Sequence, residues 1–190
     1  MKPATLFGLI LLATSTGVAC GADLGGGLGI EAKTGHAVGF GRAAASTKLG
    51  TPLNDHGFLI GASLESRTEA EPGVRYDAGV MLGWGTGPAT LGGKWGFESY
   101  AEGGTPIRGG FFRNWDWFAG GAVAAPFHFG APRQVTDLNS STWFANDRLE
   151  FVPMARFRVH GDHPEGGATL TRVDLQLGVA FRLRVLSDLF

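Results

Sequence analysis

From Asp174 to Val185 the chain alternates without a break. Leu175, Leu177, Val179, Phe181, Leu183 and Val185 fall on one side, and Asp174, Gln176, Gly178, Ala180, Arg182 and Arg184 on the other. A period of two sustained over this length is the signature of a β-strand with two unlike faces. The pattern recurs upstream. Tyr76, Ala78, Val80, Leu82 and Trp84 oppose Arg75, Asp77, Gly79, Met81, Gly83 and Gly85, while Phe58, Ile60, Ala62 and Leu64 oppose Gly61, Ser63, Glu65 and Arg67. Leu149, Phe151, Pro153, Ala155, Phe157 and Val159 oppose Glu150, Arg156, Arg158 and His160. No stretch reads as a long amphipathic helix, because Gly or Pro interrupts nearly every segment before three turns could form.

The second face carries the stronger constraint. A strand facing water on one side would be rich there in Lys, Ser, Thr and Asn. Here the polar face mixes charges of both signs with Gly and Ala, and Lys occurs beyond residue 2 only at positions 33, 48 and 94. Glycine is a poor solvated-strand residue, yet the chain has 32 of them in 190 residues, well above a background of about 7%. Small residues fit the interior of a narrow closed barrel, where they leave room for long charged neighbours. The sequence therefore predicts inward acids Glu31, Glu65, Asp77, Glu98, Glu150 and Asp174, against inward bases Lys33, Arg67, Arg75, Lys94, Arg156, Arg158, Arg182 and Arg184. Near-balance is what a buried network needs, since an unpaired buried charge costs several kcal/mol.

Strands are expected over 24–33, 36–46, 57–67, 73–85, 89–100, 106–113, 116–129, 148–160 and 169–186. Turn chemistry separates them at Thr34-Gly35, 53–57, Glu71-Pro72-Gly73, Gly87-Pro88 and 103–106. No linker or composition shift divides the chain. The expected fold is all-β, an antiparallel up-and-down β-barrel with a polar, charged interior, forming one domain over 20–190. It closes with eight strands, or alternatively ten. Nine segments are one too many for an even ring, and 24–33 and 106–113 are the weakest. Near strand ends, Trp84, Trp95, Tyr100, Trp115, Trp117 and Trp143 are candidates for interfacial girdles.

Composition excludes several classes. The chain is too apolar for disorder, with 44% hydrophobic residues. A net charge of −1 is too close to neutral for electrostatic nucleic-acid binding. One cysteine permits neither a disulfide framework nor a cysteine-based zinc site.

The first residues read as an address. Lys2 precedes the apolar run Leu6–Ala13 and the small-residue stretch Thr14–Ala19, the pattern of a secretory signal peptide over 1–19, or 1–22 if cleavage follows Ala22. Gly17-Val18-Ala19-Cys20 resembles the bacterial lipoprotein signal, although Gly17 stands where Leu is usual. That resemblance implies lipidation of Cys20, with Ala22–Gly27 as a short tether. The glycine-rich Leu24–Gly29 has no Lys-Ser or Lys-Thr after it and no helix to open, so it is read as a flexible lead-in to the first strand rather than a phosphate loop.

The alternating segment up to Val185, followed by the final Phe190, resembles the carboxy-terminal signal of small bacterial outer-membrane β-barrel proteins. Asp188 departs from the alternation. The resemblance implies a place in the outer membrane, outer-membrane lipid and the barrel assembly machinery as partners, and Phe190 as the assembly signal.

Chemistry-bearing motifs are few. Some outer-membrane lipid-modifying enzymes resemble this chain in size and use a Ser with a His; Ser140 or Ser141 with His160 or His128 would be the counterparts, without a recognisable signature around them. His160-Gly161-Asp162-His163 offers two His and one carboxylate to a metal, but it reads better as an exposed hairpin turn. The expectation is a monomeric, non-enzymatic outer-membrane barrel with a structural, adhesive or small-molecule-interaction role, without cofactor, metal or nucleic-acid partner. The alternatives are a soluble or lipid-anchored periplasmic barrel or sandwich that binds a hydrophobic ligand, and a barrel-embedded lipid-modifying enzyme.

Overall fold

Each alternating segment forms a strand in the computed structural model, which describes residues 19–49, 56–68, 74–86, 94–107, 116–129, 149–162 and 170–185. The elements are β1 (Ala19–Glu31), β2 (Ala37–Leu49), β3 (His56–Thr68), β4 (Val74–Thr86), β5 (Phe97–Pro106), β6 (Trp117–Ala124), β7 (Phe127–His128), β8 (Leu149–Asp162) and β9 (Leu170–Val185). Every pairing is antiparallel between neighbours in the order β1-β2-β3-β4-β5-β6-β8-β9, and β9 returns to β1. The result is a closed eight-stranded antiparallel barrel plus the two-residue β7. Closure removes every wall edge.

The extra piece has a simple origin. Ala124 pairs with Met154 in β8, and Phe127, three residues on, pairs with Phe151, three residues back. Thus β7 continues β6 in unbroken register beyond an interruption at Ala125-Pro126. The 24–33 segment, expected to be weak, is a full wall strand. The 106–113 segment is the surplus one: Pro106 ends β5 and Ile107 is irregular, while 108–113 lie outside the described residues. The 89–100 segment starts later than expected, at Phe97.

Two further expectations are corrected. Ala22–Gly27 is no tether and Leu24–Gly29 no flexible lead-in: all of them lie in β1, paired on one side with β2 and on the other with β9. The glycines serve the wall. Gly21, Gly25, Gly27 and Gly29 share the inner face with Asp23 and Glu31, and a Cβ on Gly27 would stand 2.1 Å from the Leu177 carbonyl oxygen of β9. On β5, a Cβ on Gly104 would stand 2.0 Å from the Ala78 carbonyl oxygen. The strands approach closely enough at these points to exclude any side chain. The predicted Thr34-Gly35 turn joins β1 to β2, with Gly35 at φ 71°, in the left-handed region that glycine enters at little cost.

The polarity of the barrel is inverted. Large apolar side chains stand on the outside, among them Leu28 at 72%, Leu177 at 70% and Val80 at 62% exposure. Among the described residues, nineteen polar or charged side chains are buried, against twelve hydrophobic ones. The apolar minority forms two patches, one around Leu59, Met81 and Tyr100, the other around Val152, Met154 and Ala180.

Candidate functional site

The inward positions of the wall strands converge on a charged lumen. Nine acids and seven bases are buried among the described residues, and the contacts of most of them fall in three tiers along the axis. Since β1 begins and β9 finishes at the same end (Cys20 pairs with Val185), that end is called terminal and the opposite one far.

The terminal tier is organised by Arg182 of β9. Its Nε and Nη2 donate to the two carboxylate oxygens of Asp23 at 2.6 and 3.1 Å. Nη1 and Nη2 also donate to the two oxygens of Glu98 at 2.6 and 2.8 Å, and Glu150 stands 3.5 Å from Nη1. Lys48 reaches Glu98 at 3.7 Å, and His128 Nε2 reaches Glu150 at 3.2 Å. One guanidinium fork thus ties β1, β5 and β8 to β9. Arg alone has the planar donor array for two bidentate carboxylates.

The middle tier is a lattice. Arg156 contacts Glu65 and Glu102, each at 2.7 Å. Arg158 reaches Glu102 at 2.7 Å, Glu65 at 2.8 Å and Asp77 at 3.3 Å. Both arginines also lie over aromatic faces, Arg158 4.0 Å from the Phe118 ring centre and Arg156 5.1 Å from that of Phe40. Arg42 lies 5.5 Å over the Tyr100 ring. Cations desolvated over aromatic rings gain about 2 kcal/mol or more, which helps to offset burial.

At the far tier, Arg67 pairs with Asp174. His160 Nε2 sits 3.1 Å from Asp174 and 2.9 Å from Arg67. Arg75 bridges tiers, with Nε on Asp77 at 2.8 Å and Nη1 on Asp162 at 2.5 Å. Asp162 also pairs with Arg172.

The predicted charge set is largely brought together here. Glu31, Glu65, Arg67, Arg75, Asp77, Glu98, Glu150, Arg156, Arg158, Asp174 and Arg182 are all buried. Lys94 and Lys33 are not: both are exposed, because β5 starts three residues after Lys94 and β1 ends two before Lys33. The side chain of Arg184 lies outside the described residues. Asp23, Arg42, Lys48 and Glu102 belong to the lumen and were missed. Tyr100 is corrected from girdle to interior, at 6% exposure. Trp84, Trp95 and Trp117 do face outward at 44, 49 and 41%, while Trp115 and Trp143 lie outside the described residues.

Several of the candidates for catalysis and metal binding fall outside what the structure describes. Ser140, Ser141, His163 and Phe190 lie outside the described residues. His160 and Asp162 stand in β8 rather than an exposed turn, held by Arg67, Asp174, Arg75 and Arg172. Among the described residues, no group of three His, Cys, Asp or Glu side chains is placed to hold a metal ion. Cys20 lies in β1 opposite Thr47 and Val185.

Comparison with known protein families, curated proteins and solved structures returned no match to this chain.

Proposed function

We propose that this chain is a non-enzymatic barrel inserted in a bacterial outer membrane, with a charged core that closes its lumen and an apolar outer wall that meets lipid. The observation that carries this reading is the inverted polarity. A water-soluble barrel puts its apolar side chains inside; here Leu24, Leu28, Val80, Leu82, Leu175, Leu177 and Leu183 are each at least 56% exposed, while Arg158, Glu98 and Glu150 are at 0%. Exposing such a wall to water forfeits roughly 25 cal/mol for every Å² of apolar surface left unburied, whereas a bilayer accepts it. Most wall strands have 13 or more residues, beyond the 9–11 or so that a tilted strand needs to cross.

A structural or surface-exposed role follows better than solute transport, because an eight-stranded interior is filled by its side chains and this one is cross-linked by ion pairs through all three tiers. Lipid is the partner of the wall. The barrel assembly machinery is the partner during insertion. A soluble barrel that holds a hydrophobic ligand would need an apolar lumen, and Arg42, Arg156, Arg158 and Arg182 occupy the space such a ligand would take.

Membrane fractionation tests the reading. The protein is expected to stay in the membrane pellet after carbonate washing and to migrate faster on an unheated gel than on a boiled one. A monodisperse protein recovered from the periplasm without detergent would sink it.

A further inference from the structure

Two prolines interrupt the wall ladder at one place, and both act on the same short segment. At the terminal end of β6, Ala125 N–H donates to the Pro153 carbonyl of β8 at 3.0 Å. In an antiparallel pair of this type the partner returns the bond, but Pro153 has no N–H to give to Ala125. On the opposite edge, Gly96 N–H donates to the Pro126 carbonyl at 2.7 Å, and Pro126 cannot return that bond to Gly96 either. The segment between Ala124 and His128 therefore lacks one ladder bond on each side, at adjacent residues. This is why the strand splits into β6 and β7 although the register never slips.

What holds the segment is the two-residue pairing of Phe127 with Phe151 and His128 with Glu150, the bridge of Phe127 to Trp95, the buried Pro126 and a few side-chain contacts. His128 N–H donates to the Lys94 carbonyl at 2.8 Å, and its imidazole meets Glu150. On the outside the Phe127 ring packs 4.8 Å from Trp95 and 5.4 Å from Phe129. No other described wall strand is interrupted in this way.

We infer that residues 125–128 form a hinged flap in the barrel wall, which opens locally while the remaining strands stay closed, with Trp95 and Phe127 as its latch. Opening uncovers the terminal tier, Glu98 and Glu150 above all, to whatever lies outside the wall. Local opening of this kind is drawn from the least-bonded part of a fold. The inference rests on the ladder alone and holds whether lipid or water bathes the wall.

Native-state hydrogen exchange of the full chain in detergent micelles, resolved by residue, tests it. The amides of Gly96, Ala125 and His128 are expected to exchange at least ten-fold faster than those of Leu59, Trp84 and Phe181, which lie toward the same end in complete ladders. Pro153→Val restores an N–H toward Ala125 from an outward-facing position, and should slow the three flap amides about ten-fold without changing Leu59. Trp95→Ala removes the latch from the outer surface, leaves the lumen untouched, and should speed exchange at His128. Flap amides as protected as Leu59 in the parent protein would overturn the inference. So would a folded Pro153→Val variant with unchanged exchange; if that variant does not fold, unchanged exchange at His128 in Trp95→Ala decides against it.

Discussion

Arg182 of β9 and Glu98 of β5 form a bidentate pair across the lumen, 2.6 and 2.8 Å between nitrogen and oxygen, although β6 and β8 separate their strands in the ring. A wall of neighbour-to-neighbour ladders fixes only adjacent strands. This pair fixes the cross-section, and Asp23 and Glu150 on the same guanidinium extend the tie.

Replacing Arg182 by Leu should therefore be severe. It leaves Asp23, Glu98 and Glu150 buried around a missing cation, and breaking a buried pair by removing one partner costs about 3–5 kcal/mol. Urea titration in detergent, followed by the loss of the fast-migrating band, is expected to show that drop. Arg182→Lys should recover part of it, because an ammonium keeps the charge but cannot serve two carboxylates bidentately. A neutral Arg182→Leu would mean that the charge is solvated rather than structural.

The face that receives Arg182 was legible because period-two patterning sorts residues by side: β9 keeps large apolar residues out and charges in, and β4 and β8 do so apart from the buried Met81, Val152 and Met154. β2 hid its role for the opposite reason. Its inner face holds Val38, Phe40, Arg42 and Ala44 and its outer face Gly39, Gly41, Ala43 and Ala45, so polarity does not mark the sides and Arg42 went unread. Glu102 was lost to Gly103-Gly104-Thr105-Pro106, a sequence with turn chemistry. In the fold that stretch is the end of β5, where Gly104 is required by the closeness of Ala78. Local glycine reads as a turn when it stands beside proline; that it makes room for a neighbouring strand becomes visible only once the sheet has closed.

The outer wall gives a second test. Leu177 lies near the middle of β9 and is 70% exposed. Leu177→Arg would leave a water-bathed barrel almost unchanged, since the side chain touches little. At the midplane of a bilayer the same substitution costs about 2–4 kcal/mol. Refolding into lipid vesicles, titrated with urea, should show that loss, while Gln at the same position should show less. Equal stability of Leu177→Arg and the parent would remove lipid from the outer wall.

Glycine positions separate steric from conformational demands. Gly27→Val and Gly104→Val put a branched side chain where a Cβ already meets a backbone oxygen at 2.1 or 2.0 Å, so the β1–β9 or β4–β5 seam should fail to close. The expected result is loss of the compact band on unheated gels. Gly35→Ala differs: nothing stands within 4 Å of its Cβ, and only φ of +71° opposes it. Its cost should be about 1–2 kcal/mol, that of holding an L-residue in the left-handed region, with the compact band retained.

The middle tier predicts what the barrel does not conduct. Arg156, Arg158, Glu65, Glu102 and Asp77 meet within 3.3 Å of one another along the contacts described, and Phe40 and Phe118 fill the space beneath the guanidinium planes. Such a lattice crosses the lumen between the two end tiers, and planar-bilayer recordings of the parent protein should stay at the baseline of the bare membrane. Shortening both arginines changes this. Arg156→Ala with Arg158→Ala removes the two longest side chains of the tier and leaves its carboxylates facing the vacated space. A double variant that still folds should show small, cation-selective current steps, with the selectivity set by Glu65, Glu102 and Asp77. Open-channel conductance in the parent itself would contradict the packing of the tier, and with it the reading of the lumen as a closed core.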